Sequence, residues 1–313
     1  MNSTQVPGEP QDSPERKAPG PAGSTPVIPL GELELIVVSG GVFRIDGGTM
    51  FGVVPKLLWD RKIPADDQNR IPQQTNCLIV RSSRGCTLID TGLGGHLSER
   101  EQRNYGLTAP GHPLLRNLAV AGITPEEITT VILTHLHFDH AGGGVVLDQE
   151  GVLQPTFPNA EYVVQRGEWM QATAGFPELR AAYPQQNLLP IETSGQLRLI
   201  DQETEILPGL YSRVTGGHTQ FHMAVVIESQ QQRALYAADV CPTEHHLPQL
   251  WCMAYDVDPL QTRRIKQQLL GEAVDSDSLV LFDHDPGCAA ARIVRDNRGG
   301  FTATDRIPAP GLE

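Results

Sequence analysis

His135-Leu136-His137-Phe138-Asp139-His140 places four potential metal ligands in six residues, directly after Thr129-Thr130-Val131-Ile132-Leu133-Thr134 and before Ala141-Gly142-Gly143-Gly144. The preceding run is β-branched and apolar, so it reads as a buried strand, and the glycines read as a turn. The ligands therefore sit on a turn at a strand end, where imidazoles and a carboxylate converge. Neutral imidazole nitrogen and carboxylate oxygen suit zinc and related first-row metals. Without a cation, so many polar groups at the end of an apolar strand would be expensive to desolvate. The competing reading, a His-rich surface turn, rests on composition alone.

Working outward, the same placement recurs. Gly216-Gly217-His218-Thr219 follows the strand Tyr211–Val214, Asp239 follows Ala234-Leu235-Tyr236-Ala237-Ala238, and His284 follows Leu279-Val280-Leu281-Phe282. Five histidines and two aspartates make seven candidate ligands, enough for two metals if one carboxylate is shared. Upstream, Leu33–Val38 and Val42–Ile45 suggest a hairpin turning at Ser39-Gly40-Gly41. Cys77–Val80 and Cys86–Ile89 suggest another around Ser82-Ser83-Arg84-Gly85, whose second strand delivers Asp90-Thr91-Gly92. A helix is expected from His112 to Ala121. Thr124, Pro125 and Glu127 form the signature of a capped short helix. Ala160–Val164 reads as a strand, Arg166–Ala174 as a helix, 175–197 as loop, Met223–Ile227 as a strand, and Asp258-Pro259 as the start of a helix ending at Gly271. The pattern is mixed α/β, with no repeat of 20–50 residues.

The 313 residues and 39% hydrophobic content suffice for one large α/β domain or two ordinary ones. A net charge of −13 lacks the basic surface of a nucleic-acid binder. Cys77, Cys86, Cys241, Cys252 and Cys288 are scattered without a CxxC pair, which favours a reduced, intracellular chain. Residues 1–28, rich in proline, glycine and serine, read as a disordered leader, with the folded domain over 29–313. No basic n-region with an apolar h-region opens the chain and no apolar run reaches membrane-spanning length, so a cytoplasmic protein without a membrane partner is expected. Cys241, two residues past Asp239, reads as a buried thiol rather than a ligand.

With these residues in hand, the chain resembles the metallo-β-lactamase-fold hydrolases, whose HxHxDH signature is matched by His135-x-His137-x-Asp139-His140 and whose later ligands are matched by His218, Asp239 and His284. The resemblance implies an αβ/βα sandwich of two mixed sheets with helices on the outer faces. It implies two divalent metal ions, zinc foremost and iron, cobalt or manganese as alternatives. His135, His137 and His218 would hold the first, Asp139, His140 and His284 the second, and Asp239 would bridge them. Two metals, two aspartates and a bridging hydroxide leave a net charge of +1 facing the substrate, suited to hydrolysis. Asp139 and Asp239 are thus the catalytic carboxylates, Asp139 also accepting a proton and passing it to the leaving group. Asp90 either orients a ligand imidazole or caps its turn. His222, His245 and His246 are expected to tolerate replacement better than the ligands.

For substrate, Gly47–Trp59 and Trp251–Asp256 look like elements of the quorum-quenching N-acyl-homoserine lactonases in this superfamily. Phe51, Trp59, Trp251 and Tyr255 would line an acyl-chain pocket or a homodimer contact. The substrate implied is a small ester or lactone. Related enzymes act on phosphotriesters, and a glyoxalase-II-like thioesterase shares all seven ligands. Some lactonases carry a tyrosine shortly after the bridging Asp; here Val240-Cys241-Pro242-Thr243 follows, and Tyr255 is the substitute. A redox diiron centre would replace His137 by Glu and omit His140. A non-catalytic metal-binding protein is the remaining alternative; structural zinc sites are usually single and closed.

Overall fold

The computed structural model describes residues 27–107 and 111–311. Its first sheet holds β1 (Val27–Leu30), β2 (Leu33–Asp46), β3 (Arg70–Ser82), β4 (Gly85–Ile89) and β5 (Ile128–Ile132). A small hairpin of β6 (Val145–Leu147) and β7 (Leu153–Pro155) intervenes before β8 (Glu161–Gln165) and β9 (Leu197–Ile200) complete it. The second sheet runs in chain order through β10 (Glu205–Leu207), β11 (Leu210–Val214), β12 (Met223–Ser229), β13 (Gln232–Tyr236), β14 (Leu279–Leu281), β15 (Cys288–Arg295) and β16 (Phe301–Pro308). Both sheets are mixed, since β4, β5, β8 and β9 pair in parallel, as do β13 and β14, while the other pairs are antiparallel.

Strand alternation decides the layering. Leu35, Val37, Leu78 and Val80 point into a core shared with Met223, Val225, Ile227 and Leu281 of the other sheet. Ile36, Val38, Cys77 and Ile79, one residue out of phase, point to the opposite face. Such period-two burial on both sides of one strand is what a sheet covered on both faces requires. The helices are α1 (Gly47–Phe51), α2 (Lys56–Trp59), α3 (Glu99–Asn104), α4 (Pro113–Val120), α5 (Phe138–Ala141), α6 (Arg166–Thr173), α7 (Leu189–Thr193) and α8 (Pro259–Asp275). Leu114 and Leu118 of α4, Trp169 of α6 and Ile191 of α7 cover the outer face of the first sheet. Leu269, Leu270 and Ala273 of α8 cover that of the second. The result is the expected αβ/βα sandwich.

Several local expectations are corrected. Leu33–Val38 and Val42–Ile45 are not a hairpin but one strand, β2, because both flanks pair with β3, and Ser39-Gly40-Gly41 is absorbed as a register shift between Ser39 and Val42. Helix α8 runs through Gly271 to Asp275, ending beyond the expected stop. Thr124 and Glu127 do form their capping box, but on a single 3₁₀ turn. Strands β15 and β16, and α7 within 175–197, were not anticipated. Of the expected leader, residues 1–26 lie outside the described residues, while Val27 and Ile28 belong to β1.

Behind the His135–His140 loop, backbones meet with no room for side chains. Gly92 has φ +70°, and a Cβ there would lie 2.4 Å from the Gly40 carbonyl oxygen. A Cβ at Gly143 would lie 2.0 Å from the Thr91 oxygen, so only glycine fits where the β2 bulge, the Asp90 loop and the turn after His140 press together.

A separate core joins α1 and α2 to the 250s. Phe51 stacks on Trp59 (ring centroids 5.6 Å apart) and on His246 (4.9 Å), and meets Trp251 edge-on. Phe51 and Trp59 are fully buried there, which corrects their reading as pocket walls: they brace the segment. His246 is a packed residue, since its Nε2 lies 3.0 Å from the Met50 carbonyl and its Nδ1 2.8 Å from the Thr243 hydroxyl. Burial, reinforced by the positive charge of Lys266, pushes His246 down to about 3. In the unfolded chain it titrates near 6.5, so below that pH the unfolded state binds the extra proton and stability falls with acidity. At pH 5 this costs ~2 kcal/mol relative to neutral pH. His246→Gln is expected to be less stable at pH 7 but to lose ~2 kcal/mol less than the parent between pH 7 and 5 in urea unfolding; equal losses in the two proteins would refute this.

Candidate metal centre

All the sequence-predicted ligands gather at one edge of the sandwich, at the ends of the strands that precede them. His135 follows β5, His218 follows β11, Asp239 follows β13 and His284 follows β14. His137 is the N-cap of α5, which carries Asp139 and His140. His135 Nε2 lies 3.1 Å from His137 Nδ1, and His218 Nε2 lies 2.9 Å from the same atom. Asp239 Oδ2 is 2.8 Å from His218 Nε2 and 3.6 Å from His135 Nε2, closing a first group of four ligand atoms. The second group forms on the other side of the same carboxylate. His140 Nε2 is 3.6 Å from Asp239 Oδ2, His284 Nε2 is 3.2 Å from Asp239 Oδ1, and the two imidazole nitrogens are 3.2 Å apart. Asp139 reaches the group only at its rim, with Oδ2 3.6 Å from His284 Nε2.

These spacings match a cation's needs. Ligands on a tetrahedral zinc with bonds of about 2.0–2.1 Å stand roughly 3.3 Å apart. Two neutral imidazoles meeting nitrogen to nitrogen in a buried place otherwise gain at most one weak hydrogen bond.

Electrostatics agree. Burial, together with neighbouring imidazoles, pushes His135 and His137 well down, so both stay neutral with lone pairs available. Burial works against the charged forms of His218 and His284 too, but Asp239 with Asp256, and Asp283 with Asp239, lift them to about 10 and about 9. Burial also opposes ionisation of Asp239, yet His218, His140 and His284 hold it well below the usual carboxylate range. The cluster is thus poised to exchange protons for metal cations.

The imidazoles are fixed from behind. Asp90 Oδ2 lies 2.9 Å from His140 Nδ1, while its carboxylate accepts the Thr134 backbone N–H and hydroxyl, at a backbone φ of +57°. The geometry combines ligand orientation with loop capping. Three contributors escaped the sequence reading. Asp256 lies 2.9 Å from His218 Nδ1, a second carboxylate–imidazole pair. Glu168 of α6, fully buried, accepts from the Leu136 N–H (3.2 Å), the Tyr183 hydroxyl (3.0 Å) and the Thr219 hydroxyl (2.7 Å), joining the two loops that bear His135 and His218. Asp283 sits inside the second group itself. Of these, only Asp283, adjacent to His284, had a local signal in the sequence.

Other candidates take plainer places. Tyr255 is 40% exposed, with its ring 5.9 Å from that of His218. Trp251 packs on Phe51 at the flank. Cys241 is buried, outside both ligand groups, and its thiol is pushed up to about 12 by burial. His222 is buried 5.1 Å from His135, ring to ring, with Nδ1 2.6 Å from the Thr215 hydroxyl, so it too is a packed residue outside both ligand groups.

The sequence matches the metallo-beta-lactamase superfamily over residues 70–271, well over half of the chain. The chain belongs to that superfamily. It is 27% identical over 220 residues to an N-acyl homoserine lactonase of Bacillus cereus, covering 67% of this chain and 80% of that protein. Among solved structures it resembles a probable metal-dependent hydrolase from Staphylococcus aureus at 32% identity and a TM-score of 0.80, over 90% of this chain and 100% of that one. It shares its fold with AidC, a dizinc quorum-quenching lactonase, at 22% identity and a TM-score of 0.72 over 92% and 98% of the two chains. As a metallo-beta-lactamase-fold protein it is a metal-dependent hydrolase. No helix among the described residues is long and apolar enough to cross a membrane.

Proposed function

We propose that this hydrolase opens the ring of N-acyl homoserine lactones at a centre of two divalent metals, with zinc the best match for the three-imidazole site. The observation that carries this reading is the convergence of six of the seven expected ligand side chains on two adjoining points, with Asp239 facing both and Asp139 at the rim of the second, in a chain whose curated relatives are named N-acyl homoserine lactonase. His135, His137, His218 and Asp239 would hold the first ion, and Asp239, His140, His284 and Asp139 the second. Ions held there would supply a water activated to hydroxide at neutral pH and polarisation of the substrate's carbonyl oxygen.

The chain's own residues supply the rest. Asp139, partly solvent-accessible at the rim of the second group, is placed to take up a proton and deliver it to the ring oxygen as the C–O bond breaks. Asp90 and Asp256 hold His140 and His218 against rotation. Tyr255, whose ring lies 5.9 Å from that of His218, would orient the substrate carbonyl, taking the part of the tyrosine missing after Asp239. Tyr183, whose ring lies 5.0 Å from that of His137, also borders a cavity of about 410 Å³ with Gln171, Phe176 and Leu179, a candidate place for the acyl chain.

A hydrolysis panel on the metal-replete protein tests the substrate. N-acyl homoserine lactones should be opened with kcat/KM in the ordinary enzymatic range, above about 10⁴ M⁻¹s⁻¹. Efficient cleavage of phosphotriesters or glutathione thioesters with lactones untouched would sink the lactonase reading and leave the hydrolase.

A further inference from the structure

Asp283 is the one carboxylate at the centre that the seven-ligand pattern does not use. It is 1% exposed, and neither side-chain oxygen has a hydrogen-bond partner. A buried carboxylate without donors is costly, by several kcal/mol at least, unless it takes up a proton or a cation answers it. Its Oδ2 lies 3.6 Å from His284 Nε2 and 3.9 Å from His140 Nε2, the same two nitrogens that face Asp239. The four side chains therefore bracket a single point.

Its aim is fixed by the backbone. Asn76 of β3 donates its main-chain N–H to the Asp283 carbonyl, and its side-chain amide donates to the carbonyls of Phe282 (2.9 Å) and Asp285 (2.8 Å). One residue of the first sheet thus clamps the 282–285 turn of the second and fixes where the Asp283 side chain leaves the main chain.

We propose that Asp283 is a ligand of the second metal, so that this position is held by His140, His284, Asp239 and Asp283, with Asp139 at its rim. This rests on the two-metal reading above. It makes the two positions chemically unlike: the first offers three nitrogens and one oxygen, the second two nitrogens and at least two carboxylates. Carboxylate-rich surroundings shift preference toward harder ions such as manganese, whereas the imidazole-rich position keeps zinc. It also lowers the charge of the loaded centre by one. Asp139, relieved of sole responsibility as the second ion's private carboxylate, is freer to move a proton.

The test is metal binding by the full chain. Metal-free wild type and Asp283→Asn are titrated with Zn²⁺ and with Mn²⁺ against a competing chelator, and bound metal is counted by elemental analysis. Wild type should take two ions per chain. Asp283→Asn should keep the first with unchanged affinity and bind the second at least about tenfold more weakly, since even residues that merely support ligands contribute that much. Two ions bound by the variant with unchanged affinities would overturn the assignment of Asp283 and leave the two-metal reading intact; a wild type that takes only one ion would overturn both. Should the variant fold poorly, a crystal structure of the metal-loaded wild type decides: an Asp283 oxygen about 2.0–2.2 Å from the second ion supports the proposal, and one beyond about 3 Å refutes it.

Discussion

Asp239→Ala is expected to bring bound metal from two ions to fewer than one per chain and to reduce hydrolysis at least about 10³-fold. The reason is position. Its carboxylate is the one group within reach of both ligand sets, Oδ2 facing His218, His135 and His140 and Oδ1 facing His284. In the proposed two-metal centre, removing it takes a shared negative charge from the place where two cations would approach each other, so both affinities should fall together. His135→Ala should spare the second position more than the first, so the two variants distinguish a bridge from a one-sided ligand. Metal content and rate measured on the same samples check this, and full activity with less than one ion per chain would refute a dinuclear mechanism.

Glu168→Ala carries the largest expected stability loss outside the ligands, about 3–5 kcal/mol. Three buried donors, the Leu136 N–H and the hydroxyls of Tyr183 and Thr219, would lose their acceptor at once. Each costs about 1–3 kcal/mol when left unsatisfied, with water entering the vacated space offsetting part of it. Against a typical domain stability of 5–15 kcal/mol this leaves a marginal protein. Burial keeps Glu168 above the usual carboxylate range, so Glu168→Gln, with similar shape and no charge, should lose less. Urea midpoints of the two variants check the ordering; an Ala variant as stable as the parent would remove Glu168 from its bridging role. First-site metal affinity should fall in step, because Leu136 and Thr219 flank His135, His137 and His218.

The ligands were legible because each follows an apolar run, and strand ends at one edge of a sheet are where side chains from distant segments meet. The β3–β4 hairpin was legible for a local reason, a polar Ser82-Ser83-Arg84-Gly85 turn between alternating strands. The Ser39-Gly40-Gly41 segment had the same local chemistry and a different outcome, because the partner that decides it, β3, lies some thirty residues away in sequence, and pairing with both flanks outweighs the turn signal. Strand β15 escaped notice because Cys288-Ala289-Ala290-Ala291 lacks the β-branched signature; its neighbours β14 and β16 make it a strand. Asp256 and Glu168 were invisible for the plainest reason: partners 38 residues from Asp256, and 15, 32 and 51 from Glu168, leave no mark on the residues beside them in sequence. Phe51 and Trp59 were rightly seen as apolar beyond a loop's needs, but they spend that character on His246 and on each other.

The glycine contacts behind the His135–His140 loop set the direction in which this enzyme can change. With Gly92 against Gly40 and Gly143 against Thr91, the rear wall admits no added atom without displacing main chain. Variation reaching the reacting centre has room at the front, in the segments around Tyr183 and Tyr255, whose rings lie 5.0 and 5.9 Å from those of His137 and His218. Directed evolution for new substrates should therefore accumulate its successful substitutions on those two loops, while libraries aimed at residues 40, 92 or 143 return mostly unfolded chains.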